Sequence, residues 1–240
     1  MYYLNNTTYN EKTLMGRLRR YFLIYFETFS VSTADSLFLL IFSILALESV
    51  HSIRFLYHHF LSGITKKSLN VFYYACSYAK VDYSNFMNIT ARTALKLIPD
   101  PLKTHPVFLC VDDTMVSKSG KKFENVSKLF NHAAHNGSNY LNGHCFVSIM
   151  LCVPVLDHDK ISYLSVPLGY RMWQKKESEL ELAASMIRQV MPEFLSKEHV
   201  IILCDSWYTK KNLVSIIDEY PNLDLIGNAR IDSVMYDLAP

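Results

Sequence analysis

Glycine and proline are scarce. Seven Gly and eight Pro in 240 residues argue against a disordered or linker-rich chain, which would be enriched in both. Cysteine occurs five times, an odd number with no Cys-x-x-Cys pair, so neither a disulfide framework nor the common zinc spacing is present. Cys110, Cys145, Cys152 and Cys204 sit in apolar runs, where cysteine behaves as a small hydrophobe. We read them as reduced thiols of a cytoplasmic protein. No apolar run is long enough to span a bilayer. The longest, residues 37–47, is interrupted by Ser43 and reads as a buried helix. The first twelve residues lack the form of a signal peptide.

What is present is apolar and aromatic. Half of the chain is hydrophobic, with sixteen Tyr and fourteen Phe, enough for one large core or two smaller ones. The net charge of +2 hides an asymmetry. Residues 1–96 hold ten Lys and Arg against five Asp and Glu, a balance of +5, whereas residues 97–240 hold fourteen against seventeen, a balance of −3. Contact with a polyanion is therefore expected to begin in the front half, where Arg17, Arg19 and Arg20 form a basic cluster beside an aromatic run.

Residues 1–98 read as helical. Thr33 or Asp35 is placed to cap a helix, residues 36–60 form one apolar helical stretch, and Gly63 breaks it. Two further helices follow over 68–78 and 83–97. The lysine-bearing turn at 65–68 has the layout of a helix-turn-helix, a layout that ordinary helix pairs share. Three prolines within residues 99–106 then disfavour both helix and inner strand and mark a boundary.

Beyond it the pattern changes. Residues 107–113 are an apolar strand that runs into Asp112 and Asp113, and residues 199–205 repeat the pattern and end in Asp205. Residues 144–156 and 161–173 read as a hairpin turning at 157–159, and residues 177–191 as an amphipathic helix with Leu180, Ala183, Ala184, Ile187 and Met191 on one face. A short helix (210–220) and a last strand (223–229) complete the order βββ-α-β-α-β. The first three strands can meander antiparallel, while the last two must cross over through helices and lie parallel. This is the order of a ribonuclease-H-like mixed sheet, an α/β (α+β) fold in which the first and fourth strands are adjacent. Their C-terminal ends would bring Asp113 and Asp205 together. Carboxylates so placed call for a cation, because like charges a few ångströms apart cannot both stay ionised unaided. Strand alternation leaves Asp112 and Asp113 equal, since both faces of their strand are apolar.

The segments VDDT at 111–114 and LCDSWY at 203–208, together with the hairpin and the helix between them, resemble the catalytic domain of bacterial insertion-sequence DDE transposases over residues 107–236. The resemblance implies metal-dependent DNA cleavage and strand transfer by three acids holding two Mg²⁺ or Mn²⁺ ions. Its Asp-Thr pairing points to Asp113 as the first acid, with Asp112 the other candidate ligand, and Asp205 matches the second. The third, a glutamate on a helix past the last strand, has no counterpart before Pro240, so the chain resembles a C-terminally truncated copy of doubtful activity. Residues 1–98 would bind double-stranded DNA or dimerise, residues 107–240 would form an incomplete catalytic domain, and the protein would be nucleoid-associated. Lys118, Lys121, Lys122, Lys210 and Lys211 are candidate phosphate contacts and Trp207 a candidate base contact, each weighed against a solvated loop or sheet-edge packing. Glu124 lies too near the first strand to serve as the third acid, and His132 and His135 lack the cysteines of a zinc site.

Overall fold

The computed structural model describes residues 13–120, 123–130 and 139–229. The chain divides into two compact units, one ending at Asp82 and one beginning at Tyr83. The helical run read over 1–98 is thus split, and its last helix belongs with the sheet.

In the first unit, α1 (Leu14–Phe26) starts at Thr13, whose side chain accepts from Gly16 N. The start of α2 (Val31–Ala46) is capped by Ser30, not by Thr33 or Asp35. Asp35 is instead held between Arg19 and Lys67, at 2.7 and 3.3 Å. The apolar stretch 36–60 is not one helix. It breaks after α2, and Ser52 caps a new start at α3 (Ile53–Leu56), which passes through a π turn (Tyr57–Leu61) into α4 (Ser62–Ile64). The helix α5 (Leu69–Tyr78) follows. Leu39, Leu40, Leu56, Leu61 and Phe72 form one buried cluster of this unit, and Phe26, Ala34 and Phe38 another.

The second unit opens with α6 (Tyr83–Leu95) and a 3₁₀ turn in the proline segment. Among the described residues its sheet has six strands: β1 (Val107–Ser117), β2 (Ser127–Phe130), β3 (Tyr140–Asp157), β4 (Lys160–Met172), β5 (Val200–Cys204) and β6 (Leu223–Gly227). β1 lies antiparallel to β3 and parallel to β5, and β5 lies parallel to β6. Both β4 and β2 pair with the edge of β3 away from β1. The long strands therefore run β4-β3-β1-β5-β6, the ribonuclease-H-like order. The short strand β2 is an addition to the order read from the sequence, and β1 also runs four residues past Asp113. Four residues with alternating burial, Ser127 and Leu129 in, Lys128 and Phe130 out, carry too weak a period to stand out from the polar sequence around them.

The helix α7 (Glu179–Val190) and α6 cover one face of the sheet. Met87, Ala91 and Ala94 from α6 and Leu180, Ala183 and Ile187 from α7 share a core with Val107, Leu109 and Val111 of β1 and Val147, Ile149 and Leu151 of β3. Arg92 ties α6 to Glu193, just after α7, with a two-pronged bond of 2.9 Å per prong. After β5 a short α8 (Lys211–Val214) and a 3₁₀ turn lead to β6. Among the described residues no helix is long and apolar enough to cross a membrane.

Candidate active site

Period-two geometry places Asp113 on the face of β1 that holds Val107, Leu109 and Val111, the face covered by α7, while Asp112 shares the opposite face with Phe108 and Cys110. The two acids that alternation left equal in the sequence thus differ in surroundings: Asp113 is half-buried under the helix and Asp112 is exposed. The Cys145 thiol, across the strand pair on β3, donates to Asp113 Oδ2 at 3.7 Å. The Asp113 backbone N–H donates to Asp112 Oδ1 at 2.8 Å.

The parallel register pairs Val111 with Cys204. Asp205 follows Cys204 directly, so it emerges beside the end of the apolar part of β1. It is exposed, and its Oδ1 accepts from Trp207 N at 3.0 Å, closing a tight turn at the strand end. The adjacency of the first and fourth strands expected from the element order is therefore present.

A third carboxylate stands here that the sequence reading missed. Glu179 is the first residue of α7, and its Oε2 accepts from the Trp207 indole N–H at 3.1 Å. Ser178 fixes the start of the helix through a reciprocal capping box with Glu181. The Ser-x-x-Glu pattern at 178–181 was the available signal; it locates the first turn of a helix but not the sheet end over which that turn sits. Burial is the main cause that raises the Asp113 carboxyl above the ordinary carboxylate range, followed by the charges of Glu179 and Asp112, with Asp205 a smaller contribution. Burial, with Glu179 and Asp113 nearby, also pushes the Cys145 thiol up. Behind them the Tyr208 ring is fully buried, and its hydroxyl has no hydrogen-bond partner among the described residues.

These groups border an open cleft of about 900 Å³ lined by Asp112, Asp113, Glu179 and Asp205, by Trp173 and Trp207, and by Lys128, Leu129 and Phe130 of β2. The carboxylates offer oxygen ligands only, the donor set that Mg²⁺ and Mn²⁺ take, and a cation would relieve the crowding felt by Asp113. Among the described residues no group of three or more His, Cys, Asp or Glu is already assembled for an ion. The residues fit the ion by donor chemistry.

No protein-family model matches the chain, and no curated protein matches it. Similar solved structures include two Mos1 complexes. One is the Mos1 strand transfer complex, at 12% identity, covering 92% of this chain and 74% of that one with a TM-score of 0.27. The other is the Mos1 transposase paired-end complex with left transposon end, at 11% identity, with 91% and 74% coverage and the same TM-score. The fold rests on the strand order.

The other expected contacts are scattered. Arg17 is exposed on α1, as is Arg20. Arg19 is mostly shielded: its guanidinium bonds Asp35 and lies 5.3 Å from the Phe38 ring centroid. Lys118 is half-buried, with its ammonium 5.7 Å from the Phe123 ring centroid. The Lys210 ammonium sits 3.4 Å from the Trp207 ring centroid, and Lys211 is exposed at the start of α8. Glu124 is exposed in the turn before β2, where its carbonyl meets His144 Nε2, and it does not line the cleft. Lys121, Lys122, His132 and His135 lie outside the described residues.

Proposed function

We propose that this chain is a DDE-type transposase of the insertion-sequence kind, or part of one, acting on DNA strands at Asp113 and Asp205 with divalent metal. The observation that carries the reading is an acid just past the paired stretch of each of two adjacent parallel strands, Asp113 on β1 and Asp205 after β5, with the charge of Glu179 acting on Asp113. Asp113, Asp205 and Glu179 would hold the metal, and Asp112 is the alternative ligand. Mg²⁺ or Mn²⁺, when bound, supplies Lewis-acid stabilisation of phosphate oxygens and an activated water or 3′-hydroxyl. The chain's own share is positional. Strand β1 fixes Asp113, the turn closed by Asp205 and Trp207 fixes the second acid, and the Trp207 indole orients Glu179. Arg17 and Lys211, both exposed, and Lys210 would meet phosphates of double-stranded DNA, with Arg20 on the same helix as Arg17, and a homodimer would present two such sites.

A nicking assay on end-labelled duplex DNA with Mn²⁺ tests this. Asp113→Asn and Asp205→Asn should each abolish cleavage, and Glu179→Gln should lower it sharply as well, because it removes one of the three carboxylates that would hold the metal. Cleavage that survives both Asp→Asn changes would reject the assignment. The second reading, a DNA-binding relative without catalysis, is favoured by the unassembled state of the acids. It predicts DNA binding with no metal-dependent nicking in the same assay.

A further inference from the structure

We propose that the outward face of the β2–β3 hairpin is a stacking platform for unpaired DNA bases at the mouth of the acidic cleft. The inference rests on the DNA reading above and adds the form of DNA that the cleft accepts. Phe130 and Tyr140 are direct cross-strand partners, as are Lys128 and Asn142. Their side chains all lie on the exposed face of the hairpin, while Ser127, Leu129 and Gly143 are buried. The Phe130 and Tyr140 rings meet edge to face with centroids 5.3 Å apart, yet they remain 40% and 50% exposed. The Lys128 ammonium stands 4.5 Å from the Tyr140 centroid.

Two large rings left half in water beside a cation form a surface suited to a flat, anionic-tailed ligand. A ring face stacks on a base, and the adjoining ammonium meets the phosphate. The location supports this use, because Lys128 and Phe130 line the same cleft as Asp112, Asp113, Glu179 and Asp205. Trp207, which carries the Lys210 ammonium over its ring, lines that cleft as well. A cleft lined by these acids and by aromatic rings with lysines beside them suits a strand laid through it. An intact duplex hides its base faces by stacking, whereas an overhang or a frayed end presents them.

The test is fluorescence anisotropy of the full chain in Ca²⁺ with two labelled probes, a blunt duplex and the same duplex carrying a five-thymidine 3′ overhang. The parent chain should bind the overhang probe more tightly. Phe130→Ala and Tyr140→Ala should each weaken overhang binding by about tenfold or more while leaving the blunt duplex unchanged, because stacking on one ring is worth that much per base. Tyr140→Phe should retain affinity. Lys128→Ala should reduce the slope of log affinity against log salt by about 0.7, the loss of one single-strand phosphate contact. Equal weakening of both probes, or no effect from either alanine, would overturn the platform and leave the DNA reading standing. Failure of the parent to bind either probe would overturn both.

Discussion

Asp113 is where burial and charge oppose each other most directly. Its carboxyl is raised by burial and by its acidic neighbours, so the ionised form is less favourable in the folded than in the unfolded chain. A raised carboxyl contributes stability that is fully present below the unfolded value and lost as pH rises through the folded one. In metal-free protein, Asp113→Asn should therefore melt above the parent at pH 7, and the gap should close as the pH falls below the ordinary carboxylate range. Adding Mn²⁺ should reverse the order, because a ligand that binds only the folded state adds about 2.7 kcal/mol at a hundred times its Kd, and the amide is the poorer ligand. Scanning calorimetry over pH 3–8 with and without Mn²⁺ checks both parts. A gap that widens toward low pH would contradict the placement of Asp113 among buried charges.

At the scale of elements, α7 matters more for where it begins than for how it packs. The Ser178 side chain accepts from Glu181 N, and the Glu181 carboxylate accepts from Ser178 N and Oγ at 2.8 Å each. Those bonds hold the Glu181 carboxyl below its ordinary range. Glu179 sits between these two residues, so the cap also sets where that carboxylate stands. Ser178→Ala should cost about 1 kcal/mol of stability in urea unfolding. It should also weaken Mn²⁺ binding by calorimetry, whereas Arg92→Ala, at the other end of α7, should leave Mn²⁺ affinity unchanged. The junction of β1, β2 and β3 is a second fixed point. Gly143 pairs with both Ser117 and Ser127, and a Cβ there would stand 2.3 Å from the Val116 carbonyl oxygen. Only glycine lets β1 run on past the acids while β2 joins the other edge of β3.

On the scale of the whole molecule, the sheet takes its closing helical layer from α6, which lies ahead of the proline segment. Met87, Ala91 and Ala94 enter the same core as β1 and α7, and the Arg92–Glu193 pair closes the layer. A fragment of residues 83–240 should thus unfold cooperatively in urea. A fragment of residues 99–240, cut at the prolines, should expose apolar surface, bind a hydrophobic dye and aggregate. Equal behaviour of the two fragments would show that α6 is dispensable to the sheet.

Much of this was written in the residues themselves. Apolar runs at 107–111 and 200–204 had to become buried strands, and the helices between β4, β5 and β6 forced the parallel pairings, because a parallel connection needs a crossover. The amphipathic face of α7 was legible because its 3.6-residue period repeats over three turns. Four things were decided only by tertiary structure, each for want of a local signal. Alternation made Asp112 and Asp113 equivalent until one face of β1 met a helix. The apolar stretch 36–60 breaks after Ala46 and restarts at Ser52, whose capping role is visible only once the chain has turned. Strand β2 is too short for its period to show, and it exists because the edge of β3 offers it a partner. Glu179 lies 66 positions from Asp113 in the chain, and only the stacking of α7 across the sheet brings its charge to bear on that buried carboxyl.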